Sequence, residues 1–547
     1  MEIQELCRFF DSKGGFMMSS LPEEINNSFT TDIKENKKIL DKVFSHNIDI
    51  IKREFTFYEG KNIAAICYYT DGLVNAQAVE NTIKALTIYE GSKRSTENGN
   101  TSEMTLDQIK KNVLINSSIE VIYNYEKAID GILVGDTVLL IDGFNRGLLL
   151  PTRGWDARSV DEPQTEQVVR GPRDGFTENI RTNTALLRRR IRDPLLYVES
   201  MQIGKKSKTD INIVYLEGTV KEGLVEEVKQ RLRSIKIDAV LESGYIEELI
   251  KDSPMSPFTT MQSTERPDKV AAGLLEGRVA IFVDNTPFVL IVPSYFWEFF
   301  QASDDYYSGF LAGSFFRSIR FIAFIISLTL PSIYVMLITF HQEMIPTELA
   351  LSIASGREVI PFPVLLEALL MEVVFELMRE AGLRMPKPVG QAVSIVGSLV
   401  IGQAAVQAGI VSPFMVILVA LTGIASFAIP NYSASFSIRL IRFPLLIASG
   451  TFGLLGFSAV FTILAVHALS IRSFGEPYLA PATPFQPTDQ KDVVFRAPWW
   501  KMDKQPKLAE GSEKREGQNQ MPEPPESNPK NQSKDNSNGS STNETQI

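Results

Sequence analysis

Residues 371–382 read MEVVFELMREAG, with three glutamates and an arginine inside a stretch otherwise as apolar as a membrane span. On a helix, at about 100° per residue, Glu372, Glu376 and Glu380 form one stripe with Arg379 beside it, while Glu367 points elsewhere. Facing water, such carboxylates attract cations and exclude anions, and a cyclic oligomer would bring copies of the stripe around one axis. Facing protein, they need partners such as Arg379, Arg384 or Arg439, because an unpaired charge in hydrocarbon is strongly unfavourable. A third setting is the membrane interface, with the apolar face in lipid. Glu372, Glu376, Glu380 and Arg379 are therefore a candidate ion pathway, with structural ion pairing as the competing role.

Which setting applies depends on the elements around the stripe. The chain has 547 residues, 44% hydrophobic and 22% charged, enough for several domains. Its net charge of -10 gives no reason to expect nucleic acid as a partner. Residues 1–300 alternate short apolar runs with charged helical stretches, whereas 317–472 are apolar over long runs. From about 485 the chain has almost no large apolar side chain, so disorder is expected there. The opening MEIQELCRFFDSKGG has no apolar core, so no cleaved signal is expected and the N-terminal half should stay on the side where it is made.

A spanning helix needs about 20 mostly apolar residues. Segments 321–340, 389–411, 413–430 and 443–470 meet this, the last long enough to tilt. Glycines and small residues in 390–409 and 449–456 suit close helix packing. The acidic helix occupies 359–378, between the first two spans. If it crosses, Arg317 and Arg320, then Arg379, Arg384 and Lys387, then Arg439 and Arg442 all fall on the cytoplasmic side. An odd number of crossings would place the C-terminus outside; a re-entrant segment would return it inside.

The soluble half reads as a duplication. Residues 126–155 and 268–297 align without a gap at an offset of 142, pairing Gly131, Gly135, Asp142, Leu148, Pro151 and Trp155 with Gly273, Gly277, Asp284, Leu290, Pro293 and Trp297. Each copy predicts a short helix and two apolar strands joined by a turn. Upstream, IAAICYY and INIVYLE predict strands leading into helices over 74–89 and 219–234. The expected fold class is an α/β N-terminal region of two related subdomains, an α-helical transmembrane bundle and a disordered tail. The expected divisions are a variable segment 1–39, subdomains over 40–155 and 156–300, helices over 301–480 and the tail 481–547.

Between the copies, Phe176, Ile180, Leu187 and Ile191 line one face of a linker helix that Asp193-Pro194 stops. Its Arg188, Arg189, Arg190 and Arg192 form either a solvated, salt-bridged face or a contact with another subunit or anionic lipid. Catalysis finds no support: there is no phosphate-binding loop, no HExxH and no CxxC. His46, His341 and His467 are scattered, and Cys7 and Cys67 are the only cysteines, so no cofactor, metal site or disulfide framework is expected.

Four strings narrow the reading. EPQTEQVVRGPRDGFTENIRTNTALLRRRI, SDDYY, HQEMIPTELALSIASGREVIPFP and AGLRMPKPVGQAVSIVGSLVIGQAAVQAGIVSP closely resemble the GerA-type spore germinant receptor A subunit, over roughly 40–480. The resemblance implies a protein of the spore inner membrane, acting with a transporter-like B subunit and a lipoprotein C subunit. It also implies self-association, as pentamers, into a channel that releases cations when nutrients bind. The SpoVA-associated A-subunit homologues share the same motifs. Against the channel stand a non-conducting scaffold or signal relay and a secondary transporter, although the helical region lacks the internal repeat a transporter would show.

Overall fold

The computed structural model describes residues 27–58, 62–88, 118–154, 161–384 and 402–502, with scattered positions at 106–110 and 504–508. Most of the variable segment 1–39, the first half of the expected 389–411 span and the tail from 509 lie outside the described residues.

The first half is built from α1 (Ile33–Val43), β1 (Ile50–Tyr58), β2 (Asn62–Thr70), α2 (Ala76–Ile88), β3 (Glu120–Ile122), α3 (Tyr125–Val134), β4 (Thr137–Ile141) and β5 (Gly147–Leu150). The second contains α4 (Ile180–Arg188), β6 (Leu196–Ile203), β7 (Thr209–Leu216), α5 (Leu224–Ser234), α6 (Ser243–Ile250), β8 (Gln262–Thr264), α7 (Pro267–Leu275), β9 (Val279–Val283) and β10 (Val289–Val292). Both sheets are antiparallel and share one strand order, β1-β2-β4-β5-β3 and β6-β7-β9-β10-β8. Helices cover both faces of each sheet, which is why every residue of β4 and β9 is buried and apolar runs replace alternation.

The likeness of the halves extends to single hydrogen bonds. The β4–β5 and β9–β10 turns need positive φ, supplied by Gly143 (87°) and Asn285 (68°). In each turn an aspartate reaches a helix start: Asp142 accepts from Ile33 N and Asp284 from Ile180 N, both at 3.2 Å. Asn36 accepts from Thr30 N and donates to Thr30 O, and Asn183 does the same with Thr177. The strings FTTDIKEN and FTENIRTN therefore match. Helix α4, expected to link the halves, is the counterpart of α1 and opens the second half.

The helical region follows: α8 (Asp304–Tyr307), α9 (Phe310–Phe340), α10 (Thr347–Arg357), α11 (Val364–Arg384), α12 (Gly402–Gln407), α13 (Pro413–Phe427) and α14 (Tyr432–Ser470). By length and composition, α9 and α14 are long and apolar enough to cross a membrane. The span expected over 443–470 is not one tilted rod. Gly453 breaks α14 with φ 59° and ψ -138°, and a Cβ there would meet the Phe340 ring at 3.0 Å. Ser437 and His467 would lie about 45 Å apart on a straight helix. Instead Thr259 Oγ1 touches Ser437 Oγ at 3.1 Å and Ser256 Oγ touches His467 Nε2 at 2.9 Å. The two arms of α14 thus return to the same end, beside the soluble halves.

The tail also departs from expectation. Beyond α14 the chain pairs as β11 (Arg472–Ser473) and β12 (Glu476–Pro477) and runs packed to Lys501. Phe474 enters the core of the second half, Tyr478 packs with Phe299, and Trp297 Nε1 donates to Leu479 O at 3.0 Å. Within 485–502, Asp492 bonds Gln301 and Arg317 and Val493 is buried, contacts that composition alone does not reveal.

Candidate functional site

Helix α11 carries the acidic stripe. Its start is held by Glu367, which is fully buried and accepts from Ser412 N (2.6 Å) and Ser412 Oγ (2.5 Å), with Arg357 at 3.5 Å. One turn further, the first arm of α14 lies alongside. Its Arg439 and Arg442 sit three residues apart and so project from one face. Arg442 meets Glu372 at 3.1 Å and Glu376 at 3.4 Å, and Arg439 meets Glu376 at 2.6 Å. Glu372 and Arg442 are each 1% exposed. Glu380 is exposed and pairs with Arg384 of its own helix at 2.6 Å.

The structure thus brings Glu372 and Glu376 together with two guanidiniums and leaves Glu380 outside. Arg379 takes no part in that cluster; its guanidinium lies over Phe427 at 4.9 Å and Tyr432 at 5.8 Å. Burying two ion pairs is costly, and the attraction repays it only when the remaining polar atoms are bonded. Here both Glu372 oxygens, Arg442 Nε and Nη1 and Arg439 Nη2 are buried without hydrogen bonds among the described residues. The cluster is electrically balanced but under-bonded. Sequence reasoning named Arg439 as a partner and missed Arg442, whose three-residue spacing from Arg439 was the available signal.

A second polar cluster joins α8, the base of α9 and the C-terminal segment. Asp305, 1% exposed, lies between Arg317 (3.2 Å) and Arg320 (2.8 Å). Arg317 reaches Asp492 at 2.8 Å, Tyr306 donates to Asp492 at 2.7 Å, and Arg496 donates to the Asp305 carbonyl at 2.6 Å. Burial pushes the Asp492 carboxyl up, against the opposing pull of Arg317. Arg317 and Arg320 are therefore the centre of a clamp that binds the C-terminal segment to the base of α9.

The basic run of α4 divides. Arg188 is fully buried, with Nε on Asp49 at 2.7 Å and Nη2 on Asn47 at 3.0 Å, so it pins the second half to the first. Arg190 pairs with Asp174 at 2.6 Å. Arg189 and Arg192 are exposed, which leaves those two on the surface. Among the described residues no group of acidic, histidine and cysteine side chains is arranged to hold a metal.

The family model described as Bacillus/Clostridium GerA spore germination protein matches residues 38–508. Spore germination protein KA of Bacillus subtilis (strain 168) is 45% identical over 92% of this chain and 91% of its own length. The uncharacterized membrane protein YfkQ of the same organism is 44% identical over 90% of this chain and 94% of its own length. A solved N-terminal domain of the A subunit of the Bacillus megaterium spore germinant receptor GerK3 aligns at 34% identity and a TM-score of 0.39, covering 50% of this chain and 98% of that one. With the model matching nearly all described residues, the chain belongs to the GerA family of spore germination proteins, among the receptor A subunits.

Proposed function

We propose that this chain is the membrane subunit of a nutrient-responsive spore germination receptor and that its helices form a cation pathway held shut by the Glu372–Arg442–Glu376–Arg439 cluster. The single observation behind this reading is the neutral, under-bonded pairing of α11 with α14. While two guanidiniums sit on two carboxylates, a cation gains nothing by entering. Drawing α14 away from α11 would leave Glu372 and Glu376 uncompensated, and carboxylates facing water attract cations.

The link to a stimulus runs through the soluble halves. Thr259 bonds Ser437, two positions from Arg439, so a displacement of the second half pulls on the arm that carries both arginines. Family membership supports a setting in the spore inner membrane, with the soluble halves on the core side. It also supports work alongside a transporter-like B subunit and a lipoprotein C subunit. Self-association as a pentamer would set copies of α11 around one axis.

A non-conducting relay is the second reading, favoured by the depth of Glu372 and its pairing within one chain. The test reconstitutes the chain with its partner subunits and measures potassium flux on nutrient addition. Glu372→Gln and Glu376→Gln should change flux or selectivity while complex levels stay near normal. Loss of complex, with unchanged flux in the surviving fraction, supports the relay.

A further inference from the structure

A cavity of about 570 Å³ opens where the soluble halves meet the helices. One wall is the strap 164–168 with Arg266 and Lys269; the other is Arg379 of α11 with Phe427, Tyr432 and neighbouring residues. Its charges are unevenly satisfied. Arg266 is bonded to Asp268 at 2.7 Å and to the Pro172 carbonyl at 3.1 Å. Lys269 is paired with Glu166 at 2.7 Å. Arg379 has no carboxylate within ion-pair distance and no hydrogen bond among the described residues, and its Nη1 is buried.

That isolation has a chemical direction. A guanidinium presents five N–H donors in one plane and its face to aromatic rings. Phe427 and Tyr432 lie against the guanidinium, and its Nη1 has no hydrogen-bond partner among the described residues. An unused guanidinium edge in a partly enclosed, net positive cavity is complementary to an oxyanion, which it grips with two parallel hydrogen bonds. The volume exceeds that of a bare anion several-fold, and Phe427, Ile429 and Pro430 offer apolar wall to the remainder of a ligand.

We infer that this cavity binds an oxyanion-bearing molecule, a carboxylate or phosphate held by the edge of Arg379, with its apolar part against the α13–α14 turn. Such a ligand bridges the strap of the soluble halves to α11, one turn from Glu376. Two sources share the chemistry: a small soluble anion, or the headgroup of an anionic phospholipid entering beside the half-exposed Tyr432. The site stands on its own geometry and does not require that the helices conduct.

The experiment uses the full chain in phosphatidylcholine nanodiscs. The probes are inorganic phosphate, benzoate, and replacement of a third of the lipid by phosphatidylglycerol. Melting temperature and lipid retained in native mass spectra are the readouts. A soluble source predicts that benzoate or phosphate raises the melting temperature in neutral lipid; a lipid source predicts that only phosphatidylglycerol does so and is retained. In either case Arg379→Gln should weaken the response about tenfold, the loss expected for a charge-assisted contact, while Arg379→Lys keeps part of it. Ser303→Trp, which fills the cavity and leaves Arg379 in place, should abolish the response and decides the matter if Arg379→Gln does not fold. Equal responses in wild type, Arg379→Gln and Ser303→Trp, or no response to any probe in wild type, would overturn the inference.

Discussion

Arg442 is the residue on which the buried charges depend, because it touches Glu372 and Glu376 at once and is 1% exposed. Removing it leaves Glu372 buried without a counter-charge, whereas replacing the pair together removes both charges. Arg442→Ala should therefore destabilise the chain by about 3–5 kcal/mol, and Glu372→Gln with Arg442→Met should recover most of that, by thermal melting of the purified protein. Equal losses in the single and double variants would show that Arg442 acts through packing alone. At the other end of the molecule, Cys67 is fully buried in β2, and burial pushes its thiol up to about 12. In a Cys7→Ser background it should resist maleimide at pH 8 until the protein is denatured; rapid native labelling would contradict its burial. The acidic stripe was legible because a four-residue repeat fixes one helix face. Its partners were less so, since nothing in the spacing of α11 selects residues some 70 positions away, and the clamp on Asp305 depends on a tail that composition marks as coreless.

At the scale of elements, the clearest difference between sequence and structure is the corner of α14. An apolar run of this length reads as a span, and its glycines read as packing surface; the same glycines serve a turn in which Gly453 takes a backbone region closed to other residues. Gly453→Ala should cost about 1–3 kcal/mol from backbone strain, and Gly453→Val more, since Phe340 already stands 3.0 Å from the Cβ position. Melting temperatures of the two variants check this, and a neutral Gly453→Val would argue for a straight helix. The duplicated halves were legible where apolar strands and turns align without a gap. The equivalence of α1 and α4 was hidden because Asn36 and Asn183 are separated by 147 positions, whereas the ungapped copies over 126–155 and 268–297 are separated by 142. It shows only when the capping hydrogen bonds are compared.

As a whole molecule, the chain enters and leaves its helical region at one end, where residues 471–502 fold back over the second half and the base of α9. A chain ending at 502 keeps Asp492 and Arg496 and should accumulate in the membrane fraction at wild-type levels; one ending at 484 loses both and should not. Immunoblots of membrane fractions separate these outcomes, and equal levels would show that the clamp is dispensable. In the proposed function, arginines on one helix silence carboxylates on another. This silencing is tested most directly by removing an arginine and asking whether the pathway opens unprompted. Reconstituted with its partner subunits, the Arg439→Gln chain should leak potassium without nutrient, because Glu376 loses its 2.6 Å partner while the buried Glu372–Arg442 pair remains. The leak should disappear when Glu376→Gln is added. A normally assembled Arg439→Gln complex that stays as tight to potassium as wild type would contradict the account.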